Sequence, residues 1–286
     1  MPPSARQAAR GPSAIGAACG LGLRREHYDL VLAERPAVPF FEVISENFMI
    51  EGGRPRQVLE RVRADYPIAL HGVSASLGSA EPLNAAYLDR LARLVHEVQP
   101  IIVSDHLSWS RLGSHNSHDL LPLPFTQEAV RAASAKIRHM QDRLGRRILV
   151  ENVSTYLRFS GSALTEWEFV AAVADEADCG ILLDINNVYV NARNHGFDPA
   201  SYLAGLPGDR IGQFHLAGHQ DHGSHVLDTH DQPVVYAVWD LFHAAVQRFG
   251  PRPAIIERDD NVPPLNELLS ESRRAGEVFH EALAIV

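Results

Sequence analysis

The sequence predicts a (β/α)8 barrel, an α/β fold in which each of eight parallel strands is followed by a helix. Short apolar runs bounded by glycine or polar residues recur along the chain, and such runs are typical of strands buried on both faces. Amphipathic helical patterns separate them. This alternation implies parallel strands joined by crossovers, and eight units in 286 residues favour a closed barrel. An open doubly wound sheet is the alternative.

The predicted strands and helices alternate from residue 17 to residue 284. The strands are predicted at 17–23, 38–47, 67–73, 100–106, 148–152, 181–187, 211–216 and 254–257. Helices are predicted at 26–34, 54–66, 82–98, 126–144, 234–249 and 265–284, and two more begin after Thr165 and Asp198. Thr165 opens a capping box, and proline follows Asp198 at the first helical position. Two long polar loops remain, 108–124 and 218–232, and loops of this length are usually functional.

Composition and charge exclude several classes of protein. The formal net charge is −9, which argues against a general nucleic-acid-binding surface. The two cysteines, Cys19 and Cys179, are too few for a disulfide framework, so we expect buried thiols and a cytoplasmic setting. No stretch approaches the roughly 18 apolar residues of a membrane span, and no nucleotide-binding glycine motif is present. We expect residues 1–14 to form a disordered tail without features of a secretory signal, and 15–286 to form one barrel domain.

Polar residues of metal-ligand type end most of the predicted strands. Active sites of such barrels lie at the C-terminal rim of the strands, so these side chains should converge there. Glu151, Asp184, His215 and Glu257 end four strands, and three carboxylates cannot crowd together without a cation or protonation. These four define the predicted centre, and we assign Asp184, His215 and Glu257 to catalysis.

Further predicted ligands extend this centre. His71 and His106 end the third and fourth strands, and Asn187 could add a carbonyl oxygen. Asp228 and His230 stand two apart in the 218–232 loop, so in extended backbone both would point at one ion. Nitrogen and oxygen ligands without thiolate suit Fe, Mn or Zn, and geometry does not choose among them.

Other polar residues have a simpler interpretation. We predict hydrogen-bonded rim residues at Asn152, Glu46, His219 and Asp259. The loop histidines are predicted to be solvated, with substrate contact or transient metal binding as the alternative. These are His115, His118, His222 and His225.

The chain also resembles a bacterial family long described only as of unknown function, UPF0276 (domain of unknown function 692). The resemblance runs from about Gly16 to near the C-terminus, and its motifs are long and occur in one order. They are FEVISENFM, LHGVSASLGS, VSDHLSWS, DLLPLPFT, ILVENVSTYLRF, LLDINNVYVNARNHGFDP, FHLAGH, DTH and IIERDDNVPPL. Characterised members of this family are multinuclear iron enzymes of peptide natural-product biosynthesis, including the methanobactin and thiaglutamate pathways.

The resemblance implies a fold, a cofactor and partners. It implies a xylose-isomerase-like TIM barrel that holds two or three iron ions in mixed Fe(II)/Fe(III) states. It implies O2-dependent oxidation of a residue, usually cysteine, in a ribosomally made precursor peptide that a separate partner protein presents. It also implies metal roles for the nine residues His71, His106, Glu151, Asp184, Asn187, His215, Asp228, His230 and Glu257.

Two other functions fit the same barrel. The first is a divalent-metal isomerase or phosphodiesterase, although the negative net charge disfavours the basic groove that phosphodiester cleavage needs. The second is a non-catalytic metal-binding protein, which would take up metal without consuming O2. The residues alone leave these alternatives open, because one fold supports several chemistries.

Overall fold

Eight parallel strands close into a barrel in a computed structural model that describes residues 15–113 and 115–284. The strands of the chain are β1 (Cys19–Gly22), β2 (Phe41–Ile44), β3 (Ile68–Gly72), β4 (Ile102–His106), β5 (Trp109–Leu112), β6 (His115–Leu121), β7 (Leu149–Glu151), β8 (Gly180–Asp184), β9 (Ile211–Leu216), β10 (Gln220–Asp221), β11 (Val226–Leu227) and β12 (Ala254–Ile256). The order around the barrel is β1-β12-β9-β8-β7-β4-β3-β2. The predicted (β/α)8 barrel is thus confirmed, and the predicted tail at 1–14 lies outside the described residues.

Helices follow the barrel strands and cover the outside of the barrel. They are α1 (Tyr28–Glu34), α2 (Arg54–Asp65), α3 (Ala85–Val98), α4 (Gln127–Leu144), α5 (Glu166–Ala177), α6 (Ile185–His195), α7 (Pro199–Gly205), α8 (Tyr236–Phe249) and α9 (Leu265–Ala284). The predicted start signals are confirmed: Thr165 forms a complete capping box with Glu168, and Asp198 accepts a hydrogen bond from Ala200 N. Among the described residues, no helix combines the length and apolar character that crossing a membrane requires.

The interior of the barrel changes from apolar to polar along the strands. Ala69 and Ile102 pair in register and belong to a small buried apolar cluster with Phe40 and Ile255. Two residues further along, His71 pairs with Ser104. Because side chains alternate along a strand, these polar residues face the same interior as the apolar pair. The polar residues therefore lie above an apolar floor, at the C-terminal end.

A register shift between β8 and β9 brings Asp184 beside His215. Ile181 pairs with Ile211, but Leu182 pairs with Gln213, so Gly212 is an extra residue. A shift of one residue reverses which side chains face the interior. Without it Asp184 would pair with Phe214, which instead packs against Phe242 on the outside of the barrel.

The sixth predicted strand was too long. The strand ends at Asp184, and α6 begins at the next residue, so Asn187 lies in the first turn of a helix and not on a strand. Aspartate is a preferred N-cap, and Gly196 ends the helix in a left-handed conformation. Both signals were present in the sequence.

The two predicted polar loops contain short hairpins. In the first, β5 pairs antiparallel with β6, so part of the predicted loop 108–124 is a β-ribbon beside the barrel mouth. In the second, the two-residue strands β10 and β11 pair within 218–232. Each excursion begins just past the C-terminal end of a barrel strand, which is where barrel active sites lie.

Candidate metal centre

Six of the nine predicted ligands lie together at the C-terminal end of the barrel interior, and we call them the inner group. They are His71, His106, Glu151, Asp184, His215 and Glu257, and all are buried. Each ends a barrel strand, lies one residue before its end, or directly follows it. The eight-stranded closure therefore brings six titratable side chains from six strands into one volume.

Glu151 occupies the middle of the inner group. Its Oε2 atom lies 3.3 Å from Nε2 of His71 and 3.4 Å from Nε2 of His106. Its Oε1 atom lies 3.8 Å from Nδ1 of His215. Glu151, Asp184, His215 and Glu257 each offer a ligand atom within 4.8 Å of the others, and so do His71, Glu151 and His215. Glu151 thus belongs to two overlapping sets of donors.

Asp184 combines a structural role with a free oxygen. Its Oδ1 atom caps α6 by accepting a hydrogen bond of 2.6 Å from Asn187 N. Asn187 in turn donates its Nδ2 to Asn152 O, which leaves its Oδ1 unused by the described residues. The turn between β8 and α6 therefore fixes the side chains of Asp184 and Asn187 and leaves one oxygen of each available for a ligand.

The remaining predicted ligands form an outer group, which consists of Asn187, Asp228 and His230. Oδ1 of Asp228 lies 2.7 Å from Nε2 of His230. The prediction of an extended backbone here was wrong, because His230 has a φ of 49°. The two side chains nevertheless face each other. Asn186 donates to Asp228 Oδ1 at 2.8 Å and fixes that carboxylate from the helix side.

The loop that carries Asp228 and His230 is held by backbone contacts at both ends. His230 N donates to Gly218 O, and Asp259 N donates to His230 O. A Cβ atom at Gly218 would lie 2.1 Å from Gln232 O, so only glycine permits the loop to return this closely. These contacts thereby fix the 218–232 loop at the mouth of the barrel.

The pKa values in the inner group are shifted in opposite directions. Burial raises the pKa of Glu151 well above its usual value, and the carboxylates of Asp184 and Glu257 add to this shift. Burial likewise raises the pKa of Asp184, to about 7. Burial alone would lower the pKa of His215, but nearby carboxylates, Glu42 foremost, outweigh it and hold that pKa well above its usual value. Without a cation, the group can balance its charge only by sharing protons.

Several buried polar atoms of the predicted ligands have no hydrogen-bond partner among the described residues. They are both oxygens of Glu151, Oδ2 of Asp184, Oδ1 of Asn187 and Nε2 of His230. Nε2 of His230 lies 2.7 Å from Oδ1 of Asp228, an ion-pair contact, and has no other polar partner among the described residues. Buried polar groups in folded proteins are nearly always satisfied. The donor set therefore fits one or more divalent cations, to which these atoms would bind.

The inner histidines are held from behind through their other ring nitrogens. Nδ1 of His71 lies 2.8 Å from Ser104 Oγ, and Nδ1 of His106 lies 3.0 Å from Gly72 O. Both rings therefore turn Nε2 toward Glu151. His215 is reversed: its Nδ1 faces Glu257, and its Nε2 lies 2.9 Å from Oε1 of Glu42.

Sequence analysis did not identify Glu42. The sequence did indicate that Glu42 has a special role, because this glutamate interrupts the apolar run FFEVI. A carboxylate that is buried in a strand needs a partner. The predicted rim residues, by contrast, are hydrogen-bonded as expected, and Asp259 also lies 3.3 Å from His230 Nδ1. His222 and His225 stack on each other in the exposed part of the loop.

A cavity of about 180 Å³ joins the two groups to the surface. His106 and Glu257 of the inner group line it, together with all three residues of the outer group. Its other walls include the apolar side chains of Ile44, Val73, Leu120 and Val153. The metal-type ligands are therefore reachable from outside through an opening whose walls are partly apolar.

Comparison with known proteins places the chain in a family. Residues 18–280 match the family model described as RiPP precursor modification enzyme MbnB/TglH/ChrH. A RiPP is a ribosomally synthesised and post-translationally modified peptide. A UPF0276 protein of Anaeromyxobacter sp. (strain Fw109-5) is 56% identical over 265 residues, or 93% of this chain and 94% of that protein. A UPF0276 protein of Acaryochloris marina is 50% identical over 256 residues, or 90% of this chain and 92% of that protein.

Solved structures share the fold at low sequence identity. A D-tagatose 3-epimerase-like protein superimposes with a TM-score of 0.60 at 14% identity, covering 94% of this chain and 98% of that one. Endonuclease IV from Thermus thermophilus gives a TM-score of 0.57 at 16% identity, covering 94% of this chain and 100% of that one. At this identity the similarity shows only a shared fold, the xylose-isomerase-like TIM barrel. On the sequence matches, the chain belongs to the MbnB/TglH/ChrH family of RiPP precursor modification enzymes.

Proposed function

We propose that this protein is a multinuclear, non-haem iron enzyme that uses O2 to oxidise a residue, cysteine, of a ribosomally synthesised precursor peptide. In the reaction the peptide residue supplies electrons and O2 accepts them. Membership of a peptide-modifying family supports the substrate class. The single observation that carries the metal dependence is the set of unpartnered buried atoms on Glu151, Asp184, Asn187 and His230.

The donor atoms suggest three places for a metal. His71, His106 and one oxygen of Glu151 would form the first, at the distances given above. Glu151, Asp184, His215 and Glu257 would form the second, and Glu151 would then belong to both. The outer group of Asn187, Asp228 and His230 would form the third. Nitrogen and oxygen donors without a cysteine suit iron, and bound iron would supply one-electron and O2 chemistry.

The protein's own residues would bind the peptide and control water and protons. The cavity admits a side chain rather than a whole peptide, so the peptide would lie across the mouth and insert one residue. Ile44, Val73 and Leu120 would exclude water around that residue. Metal binding would displace the protons that the inner carboxylates share with His215, since those ligands bind in their unprotonated forms.

A separate partner protein would present the peptide, as in the resemblance drawn from the sequence. The acidic chain, with a net charge of −9, has no recognisable peptide-capture domain in its sequence beyond the barrel loops. The test is co-expression with neighbouring open reading frames, followed by mass spectrometry of small cysteine-containing peptides. We expect a mass change that needs O2, iron and the partner. The Asp184→Ala variant is the control for metal-independent change.

The outcome separates this function from the alternatives. An isomerase, a phosphodiesterase or a non-catalytic metal-binding protein would consume no O2 and leave the peptide mass unchanged. An unchanged peptide with iron-loaded protein, partner and O2 all present would contradict the proposal. Tight binding of the peptide to this chain alone would contradict the need for the partner.

A further inference from the structure

Glu42 is a buried carboxylate inside the barrel that the proposed ligand set does not include. It lies in β2 between Phe41 and Val43, and only 4% of its surface is exposed. Its register neighbours are Gly22 on β1 and Ala69 on β3, which offer no side-chain donor. Since an unpaired buried carboxylate is strongly unfavourable, the partners of Glu42 indicate its role.

Both partners come from β9, across the interior of the barrel. Gln213 donates its Nε2 to Oε2 of Glu42 at 2.6 Å, and Nε2 of His215 lies 2.9 Å from Oε1. Gln213 and His215 are two residues apart on one strand, so they point to the same side. Nε2 of His215 also lies 3.3 Å from Nε2 of Gln213, but that amide already donates to Glu42 at the shorter distance of 2.6 Å. Because a carboxylate attracts a proton, the 2.9 Å ion-pair contact with Glu42 favours a proton on Nε2 of His215.

The other nitrogen of His215 faces the inner group. Nδ1 lies 2.9 Å from Oε2 of Glu257 and 3.8 Å from Oε1 of Glu151. A neutral imidazole has one proton, and the hydrogen bond at one nitrogen decides which nitrogen can bind a metal. Without a cation, Nδ1 also carries a proton and donates it to Glu257. With the other proton held at Nε2, His215 would give up the Nδ1 proton on metal binding and turn that lone pair toward the cation.

We infer that Glu42 is a positioning residue that keeps the proton of His215 on Nε2 and thereby directs Nδ1 at the metal held by Glu151, Asp184 and Glu257. This inference rests on the proposed metal site. The other two inner histidines have neutral partners, Ser104 Oγ and Gly72 O. A carboxylate behind a histidine makes it a more basic ligand, so His215 is the strongest nitrogen donor of the three. Gln213 fixes the orientation of the carboxylate by holding its second oxygen.

The test is Glu42→Gln, which keeps the shape of the side chain and removes its charge. Iron(II) affinity is measured anaerobically by competition with a chromophoric chelator, and the visible and EPR spectra of the loaded protein are recorded. We expect affinity to fall about 10- to 100-fold, as for other partners of ligating histidines, and the spectra to change. The matched control is Glu166→Gln, the same substitution at an equally buried carboxyl that touches Asn191 and Tyr202 instead. It should leave affinity and spectra as in the wild type.

Each outcome bears on a different claim. If the wild type binds no iron, the proposed function and this inference both fail. If the wild type binds iron and Glu42→Gln matches it in affinity and spectra, only this inference fails. Should circular dichroism show that Glu42→Gln does not fold, Gln213→Met replaces it. That variant retains Glu42 and removes the donor to its Oε2, so we expect a smaller loss of affinity, and wild-type affinity and spectra would overturn the inference.

Discussion

The barrel interior around Glu151 and the helical layer around Glu166 each bury a glutamate, and the two glutamates differ in whether their oxygens have hydrogen-bond partners. Glu166 accepts hydrogen bonds from Tyr202 and Asn191 at 2.9–3.1 Å. Burial raises its pKa to about 8, so near neutral pH it keeps its proton. Glu151 accepts no hydrogen bond from the described residues and is surrounded by histidines and further carboxylates.

The difference identifies which buried acid is prepared for a cation. A neutral acid with hydrogen-bonded oxygens needs nothing more from its surroundings. A carboxyl group with two unpartnered oxygens beside other carboxyls is unfavourable by itself and becomes favourable when it gives up its proton and binds a cation. Burial and a raised pKa are common to both residues, so neither distinguishes them. The unpartnered oxygens do, and on this ground we propose Glu151 as the metal ligand.

The largest expected effect comes from making the same substitution in both regions. Glu151→Gln should remove most of the bound iron, because Glu151 lies in two donor sets. The loss of affinity should exceed the ~100-fold seen when only a residue behind a ligand is changed. Glu166→Gln should keep full metal content. Elemental analysis and chelator competition on both variants measure this.

Thermal melting in the presence of chelator completes that comparison. Metal-free Glu151→Gln should melt at or above the temperature of the metal-free wild type, because the substitution removes one acid from a crowded group of buried carboxyls that must otherwise share protons. Equal metal content in both variants would mean that the unpartnered oxygens of Glu151 do not mark a metal site.

A smaller effect is expected from Asp228 and His230 of the outer group, which lie in a loop and not on the barrel strands. Asp228→Ala and His230→Ala should each lower iron content partially and abolish O2-dependent turnover, while the inner group keeps its metal. The same loop supplies the controls His222→Ala and His225→Ala, whose side chains are exposed and stack on each other. These should keep the iron content of the wild type. Metal analysis and turnover are measured on all four variants.

Equal iron loss in all four loop variants would contradict the division between the outer group and the exposed histidines. It would indicate that the whole 218–232 loop folds around metal. Loss of all iron in Asp228→Ala would instead mean that the inner and outer groups bind metal as one unit.

The barrel and most of the site could be predicted because local signals determine them. Apolar runs that end in Glu151, Asp184 or His215 placed these residues at strand ends, and barrel closure then brings strand ends together. The resemblance to a known family supplied the ligand roles. Which nitrogen of His215 faces the ligands depends on a contact with Glu42, and these residues are far apart in sequence.

Two features could not be predicted from local pattern. The register shift at Gly212 depends on how two strands pair, and a single strand gives no sign of it. The left-handed backbone of His230 likewise depends on contacts with Gly218 and Asp259. The helix that follows Asp184, by contrast, could have been predicted, because its N-cap and its terminal glycine are both visible in the sequence. The predicted strand was simply extended too far.

The last prediction concerns the pH dependence of stability at Glu166, where no metal is involved. Its pKa is about 8 when folded and near 4.5 when unfolded, so between these values the unfolded state has released a proton that the folded state keeps. Stability from this group is therefore full below pH 4.5 and falls as pH rises to 8, by up to about 1.4 kcal/mol per pH unit. Glu166→Gln should remove this fall. Urea unfolding of the metal-free proteins from pH 5 to 8 measures it, and a constant difference between variant and wild type would contradict the raised pKa.

The most direct test of the account is the metal content of the purified protein. The unpartnered atoms of the two groups fit cations, and the proposed function requires that these be iron. Protein expressed in iron-replete medium and purified anaerobically should contain about two to three iron ions per chain by elemental analysis. The absence of any transition metal under these conditions would contradict the account and leave the buried carboxylates of the barrel unexplained.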